Sequence, residues 1–475
     1  MMTDTTDTTD APPLGLVPPL DDTPILGFGD LLRGDDAELA SKLIDTRCPG
    51  DLAPIYSEGA YREYDPPSGV WTEIDESELS RTVQSFAGLS VGGKKRLKVS
   101  AGTVSGTIKL ARDLVSNPNF FDQGITGITF NNGFVEVCDG KITTHRHTSD
   151  QRARHRVDID YEPGALHPEL DQFWDDVFAD TSEEERSARV MLIQEFTGAC
   201  LIGKATSYQR CLVFEGPGGN GKSQAEEIIR SVFPPRTVCS LPPQQWGERF
   251  QIAKLVGCLA NIVDEIPEKE IVSGDLFKSV ITGEPVHTER KHRDPFEHRP
   301  VAGHLFSANL LPSTADLSHG FFRRFLIVKF TRDMERAPGS RKDIGRYVVT
   351  LDRAGIAAWA VEGAARLQRQ GGYTIPQTST DAVNEWRRAS DSVAMFVDEA
   401  TRPNDPMLPT NIANGTRAST LYSAYRQWTI SNGYRCVSSK NFANRMDALK
   451  LRSVQQSDAR YHPVLYVERG GPSNA

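Results

Sequence analysis

Eight consecutive residues, Gly216, Pro217, Gly218, Gly219, Asn220, Gly221, Lys222 and Ser223, form the pattern GxxxxGKS. They follow the apolar run Cys211 to Phe214 and precede Gln224 and a helix-forming stretch. In that setting the pattern is a phosphate cradle. Its glycines let backbone N–H groups curl around phosphate oxygens without Cβ clashes, and a following helix N-terminus adds its positive dipole. Lys222 then reaches the β and γ phosphates, and Ser223 binds Mg2+. ATP and Mg2+ are the expected ligands. About 40 residues downstream, the apolar run Leu259 to Val263 ends in Asp264 and Glu265. Asp264 suits a carboxylate that orients the metal, and Glu265 suits the base that polarises an attacking water. A third apolar run, His304 to Ala308, ends in Asn309. That amide either holds the lytic water and senses the γ-phosphate or makes a turn before Leu310, Leu311 and Pro312. The pair Arg323 and Arg324 opens a fourth run. It is either a surface ion pair or an arginine finger, the planar partner that a transferring phosphoryl group favours.

The elements that must hold these groups follow from pattern. Short apolar runs at 211–215, 258–263, 303–307 and 325–330 alternate with helical stretches, which predicts a parallel sheet in an α/β domain. Between the second and third runs, residues 277–295 read as a hairpin with Arg290, Lys291, His292 and Arg293 near its tip and Lys278 before it. Such a cluster is ordinarily a solvated surface, but in a ring ATPase it lines a pore and grips phosphates. Upstream, 61–71 reads as a hairpin turning at Pro66, Pro67 and Gly69, and 128–143 as strands broken at Asn132-Gly133 and Asp139-Gly140. Residues 168–200 read as helical, with a capping-box pattern at Ser182 and Glu185. Residues 350–370 and 380–400 read as amphipathic helices, and a strand pair is expected around 464–468. His145 and His147 have no Cys or His partners at ligand spacing and read as a polar turn.

The chain has 475 residues, 38% of them hydrophobic and 25% charged. That is enough for several domains with ordinary cores. No apolar window is long enough for a membrane span, and the N-terminus lacks the basic and apolar regions of a secretory signal. Seven scattered cysteines without a CxxC pair argue against a disulfide scaffold and fit a reducing, cytoplasmic setting. The net charge of −9 is concentrated in residues 1–40, which hold nine acids and one base. Residues 421–460 hold seven bases and two acids, a local patch that suits a phosphate backbone. Tyr422, Tyr425 and Trp428, spaced by three, read as core and leave DNA contact to those bases.

Taken in order, these motifs resemble superfamily 3 helicases, the AAA+ ring motors of viruses, phages and plasmids. The closer likeness is to the D5-like, or phage/plasmid P4-type, primase-helicase family. Its K-x-L-T-G-G-D-P element resembles Lys278 to Pro285, with departures at Val280, Ile281, Thr282 and Glu284. Its F-S-T-N-x-L-P resembles Phe306 to Pro312, and its paired Arg resembles Arg323 and Arg324. Upstream, Phe130 to Glu136 and Tyr161 to Pro168 resemble further family elements, as do Leu421 to Phe442 downstream.

The resemblance implies an AAA+ P-loop core with an N-terminal α+β domain and a C-terminal winged-helix-like domain. The expected boundaries are a disordered acidic tail at 1–40, a D5 N-terminal-like domain at 41–165 and a helical collar at 166–200. The ATPase domain follows at 201–335, a helical connection at 336–390 and the winged-helix-like DNA-binding domain at 391–475. It further implies a homohexamer that translocates on single-stranded or forked DNA in the cytoplasm of a bacterial host. Arg324 falls on the finger position, and Lys278, Arg290, Lys291 and His292 fall where DNA is held. With no paired acidic ligands in the first 60 residues, the chain reads as the helicase part, with a separate primase as a possible partner. The alternative is an origin-binding initiator whose ATPase is an assembly switch.

Overall fold

The computed structural model describes residues 31–48, 52–266, 274–291, 295–312, 314, 316–337, 341–404, 415–434, 436–456 and 458–467. The chain packs as two units: residues up to 54 with 74–116, and 55–73 with everything from 117 onward. The segment expected as one domain at 41–165 is therefore divided between them.

The first unit is built on three helices, Asp36–Thr46, Glu76–Ser85 and Ala101–Leu114. Each starts at an oxygen-bearing cap, Asp35, Asp75 or Ser100, which accepts from a backbone N–H of the first turn. Asp35 and Asp36, expected in an acidic tail, instead start a helix. Glu38 fixes that start by accepting from the N–H groups of Leu32, Arg33 and Gly34.

The second unit is a mixed α/β structure around a five-stranded parallel sheet. Its strands are β1 (Cys211–Glu215), β2 (Val238–Cys239), β3 (Ala260–Val263), β4 (Gly303–Ala308) and β5 (Phe325–Lys329), in the order β2-β3-β4-β1-β5. The expected strands and their parallel pairing are present. Both faces are covered. Leu212 and Phe214 face one core with Leu305 and Val328, while Cys211 and Val213 face another with Phe277 and Phe325. This explains why β1 is apolar from Cys211 to Phe214 rather than alternating. Each large side chain so buried contributes about 1.5–3 kcal/mol.

Five helices of this unit bear on the site: α1 (Pro168–Val177), α2 (Glu183–Leu201), α3 (Lys222–Arg230), α4 (Asp275–Thr282) and α5 (Ile344–Gln370). Helices α2 and α5 cross at two glycines. A Cβ on Gly198 would lie 2.2 Å from the Ala360 carbonyl oxygen, and one on Gly363 would lie 2.4 Å from that of Gln194. At its N-terminal end α5 reaches the phosphate loop's helix, since the Gly345 N–H donates to Gln224 Oε1 at 2.8 Å. The capping expected at Ser182 is present, with its hydroxyl accepting from the Glu185 N–H.

The hairpin expected at 61–71 is Ala60–Asp65 paired with Val70–Glu73, and Ile55–Ser57 adds a third strand. Strands Gly127–Phe130, Gly133–Cys138 and Lys141–His145 turn at the two Gly-containing corners. The stretch expected as one helix at 380–400 is two, Gln377–Ser390 and Ser392–Ala400, because Asp391 leaves helical geometry to cap the second. Val464–Tyr466 pairs with Thr401–Pro403 and not with a sequence neighbour. Among the described residues, no helix is long and apolar enough to cross a membrane.

Candidate nucleotide site

The loop between β1 and α3 is shaped by its glycines. Gly216 has φ 155°, and a Cβ there would lie 2.1 Å from the Phe330 carbonyl oxygen. Gly219 and Gly221 have φ 77° and 91°, the left-handed region that other residues seldom adopt. Asn220 Nδ2 donates to the same Phe330 carbonyl at 2.6 Å, which pins the loop to the end of β5. Lys222 folds back over the loop, donating to the carbonyls of Gly216 at 2.5 Å and Pro217 at 2.8 Å and to Asn220 Oδ1 at 3.1 Å. Burial lowers its pKa, against the pull of Glu226 and Glu265. The ammonium is thus held only by neutral oxygens of its own loop, and an anion would compete well for it. No side chain caps the N-terminus of α3, so its first amides remain available to phosphate. Ser223 is exposed there.

Opposite the loop stand the acids. Asp264 ends β3, is exposed, and accepts from Arg230 Nη2 of α3 at 2.5 Å. Glu265 accepts from Asn309 Nδ2 at 3.3 Å, so the end of β4 reaches the candidate base. A third carboxylate, Glu226 on α3, was missed by sequence reasoning. It is 2% exposed, and Ser307 Oγ of β4 donates to it. Burial lifts its carboxyl to about 7, and the neighbouring Asp264 adds to the rise. The only sequence signal was its place four residues after Lys222, one helical turn on, which puts both on one face of α3.

Residues 218–223 of the loop, Asp264, Glu265 and Asn309 line one cavity of about 530 Å3. Its remaining wall comes from Phe173 of α1 and from Arg332, Met334, Arg341 and Ile344. That wall was also not foreseen. It is held by Met334 and Glu335, whose N–H groups donate to the Gly219 carbonyl at 2.8 and 3.2 Å. A nucleoside triphosphate fits the donor set. Among the described residues no group of three or more His, Cys, Asp or Glu side chains is gathered to hold a metal. One carboxylate and one hydroxyl beside bound phosphates is the usual provision for Mg2+.

The other expected site residues fare differently. The hairpin is present as Val286–Thr288 paired with Phe296–His298. Arg290 lies over the Phe296 ring at 5.7 Å and Lys291 is exposed; His292 lies outside the described residues. Lys278 is not on the hairpin but on α4, where it is ion-paired with Asp316 at 3.2 Å. Arg324 is 7% exposed and donates to the Gly320 carbonyl. It is tucked into its own chain, whereas Arg323 beside it is exposed. His145 and His147 do not form the expected polar turn: His145 ends a strand and bonds Glu136, and His147, just beyond it, bonds the Phe130 carbonyl. Tyr425 is fully buried, with Tyr422 and Trp428 packed around the same core, so these aromatics are core side chains.

Two family models match parts of the chain. Residues 57–179 match one described as D5 N terminal like, and residues 214–324 match a family of unknown function, DUF5906. Among solved structures, the A form apo structure of the NrS-1 C terminal region is 12% identical, with a TM-score of 0.48 over 91% of this chain and 99% of that one. The apo structure of NrS-1 C terminal region (305-718) is 11% identical, with a TM-score of 0.46 over the same shares. No curated protein matches.

Proposed function

We propose that the chain is an ATP-driven, ring-forming DNA helicase of superfamily 3 that serves replication of a phage, plasmid or mobile element. The observation that carries this reading is the single cavity into which Lys222, Ser223, Asp264, Glu265 and Asn309 converge. The strand order supports it, with the Asn309 strand lying between the P-loop strand and the acidic strand as expected of an AAA+ core. The D5-like segment at 57–179 accords with a replication role.

In this mechanism Lys222 leaves the loop carbonyls for the β and γ phosphates, and α3 presents its open amides to them. Ser223 and Asp264 would hold Mg2+, which would supply charge neutralisation to the transferring phosphoryl group. Glu265 takes the proton of the attacking water, and Asn309 holds the carboxylate in place. A finger arginine from the next subunit completes the site. Hydrolysis then moves the hairpin bearing Arg290 and Lys291 along one DNA strand. The 391–475 region, with its basic patch, is assigned to duplex DNA as a winged-helix-like domain.

Unwinding of a forked duplex tests the reading. The wild-type chain should separate the strands only with ATP and Mg2+, and Lys222→Ala should not. DNA-dependent ATPase without unwinding would favour the initiator alternative.

A further inference from the structure

The hairpin turns one face inward. Val286, Thr288 and His298 are buried, while His287 and Glu297 between them are exposed. Electrostatic coupling ties His298 to Glu58, Arg154 and Arg290, and Arg62 to the same three groups. Arg154 Nη1 donates to both Glu58 oxygens, at 2.7 and 2.6 Å. Arg62 Nη2 is 4.0 Å from Glu58 and 3.8 Å from Glu73. The Phe121 ring serves both guanidiniums, 5.4 Å from Arg62 and 4.8 Å from Arg154.

This cluster, together with Thr288 on the same buried face of the hairpin, holds polar atoms that have nothing to bond. Arg62 Nε, Thr288 Oγ1, His155 Nε2 and His298 Nε2 are all buried without a hydrogen-bond partner among the described residues. Buried polar atoms are nearly always paired, because an unpaired one forfeits its water without return. Three guanidiniums, from Arg62, Arg154 and Arg290, face two carboxylates, so the charge left over is positive. Burial keeps the imidazoles of His155 and His298 neutral, so neither adds to that charge, and in the Nε2–H tautomer each offers a donor. Unsatisfied donors with surplus positive charge are the recognition chemistry of an oxyanion.

We propose that this buried cluster binds a backbone phosphate of a nucleic-acid strand passing along the hairpin. Arg62 Nε, Thr288 Oγ1 and His298 Nε2 are its donors, and Arg290 leads from it toward Lys291 at the exposed tip. The inference rests on the DNA-motor reading and adds a second grip at the base of the hairpin. That succession from buried cluster to exposed Lys291 favours a polymer with repeated phosphates over a single free anion.

Thr288→Val gives the cleanest test, because it removes only the hydroxyl. An unpaired buried hydroxyl costs the fold, so the variant should melt no lower than the wild type. Its affinity for a labelled oligothymidylate should nevertheless fall about three- to tenfold. Arg62→Gln, and Arg290→Gln if that variant folds poorly, should lose about tenfold or more. Their plots of log affinity against log NaCl should be shallower by about 0.7, the share of one single-strand phosphate. Wild-type affinity and slope in Thr288→Val and Arg290→Gln would overturn the site. So would inorganic phosphate raising the wild-type melting temperature, but not that of Thr288→Val, while oligothymidylate binding is the same in both. Failure of the wild-type chain to bind oligothymidylate at all would instead remove the motor reading beneath it.

Discussion

Arg230 Nη2 lies 2.5 Å from Asp264 Oδ1 and 2.9 Å from the Ile262 carbonyl. One guanidinium thus ties the phosphate-loop helix to the end of the acidic strand. Because Arg230 is anchored on the backbone as well, it fixes where the Asp264 carboxylate stands.

Arg230 is therefore a positioning residue, and its removal should act through the metal. Arg230→Gln should lower kcat about ten- to hundredfold and raise the Mg2+ concentration needed for half-activity, with the KM for ATP little changed. Arg230→Lys should recover part of the loss. A wild-type Mg2+ titration in Arg230→Gln would show that Asp264 needs no such support.

The donors and acids of the cavity should separate binding from turnover. Lys222→Ala should lose nucleotide binding and hydrolysis together, since the phosphates lose their point charge. Glu265→Gln should bind nucleotide normally and lose turnover, since an amide cannot accept the proton of water. Asn309→Ala should share the second phenotype in milder form, because Asn309 only holds the Glu265 carboxylate. Hydrolysis at the wild-type rate by Glu265→Gln would mean that the base has been misassigned.

Much of this site was legible because it is local. The phosphate loop is one unbroken stretch between a strand and a helix, and its geometry is dictated by Gly216, Gly219 and Gly221. Asp264 and Asn309 sit at strand ends, where an apolar run announces the strand and the next polar residue marks its end. Residues brought in by packing were not legible. Glu226 and Ser307 meet only because β4 lies beside β1, and Met334 reaches Gly219 only because the chain after β5 folds back over the loop. Likewise, the burial of Arg324 beside an exposed Arg323 is decided by which side of β5's entry faces the core formed by Phe321 and Phe325.

The buried histidine of β4 should make the fold acid-sensitive. Asn261 Nδ2 donates to His304 Nδ1 at 3.1 Å, which requires that nitrogen to be unprotonated. Burial depresses His304 to about 3 from the usual 6.5. The unfolded chain therefore binds a proton that the folded chain refuses between those values. The stability His304 contributes is full above pH 6.5 and is lost as pH falls toward 3, by at most about 1.4 kcal/mol per pH unit. Urea unfolding at a series of pH values checks this. His304→Gln should flatten the acid limb, and a limb equally steep in that variant would exclude His304 as its source.

The paired arginines at the head of β5 should fail in opposite ways. Arg324 is packed inside its own chain, with burial lowering its pKa. Arg324→Ala should therefore destabilise the fold by about 1–3 kcal/mol and lose activity only as far as folding is lost. Arg323 is exposed, and its one recorded side-chain bond is a long 3.4 Å contact from Nη2 to Gln209 Oε1. In the proposed ring it is the arginine exposed to a neighbouring subunit's nucleotide. Arg323→Ala should melt like the wild type, bind nucleotide, and lose about a thousandfold or more in ATPase rate. Mixing Arg323→Ala with Lys222→Ala protein should restore part of the turnover. Each mixed interface can then pair an intact phosphate loop from the first variant with an intact finger from the second. Restoration on mixing Arg324→Ala with Lys222→Ala, and none with Arg323→Ala, would return the finger to Arg324. Full activity from a monomeric preparation would rule out a finger in trans from either residue.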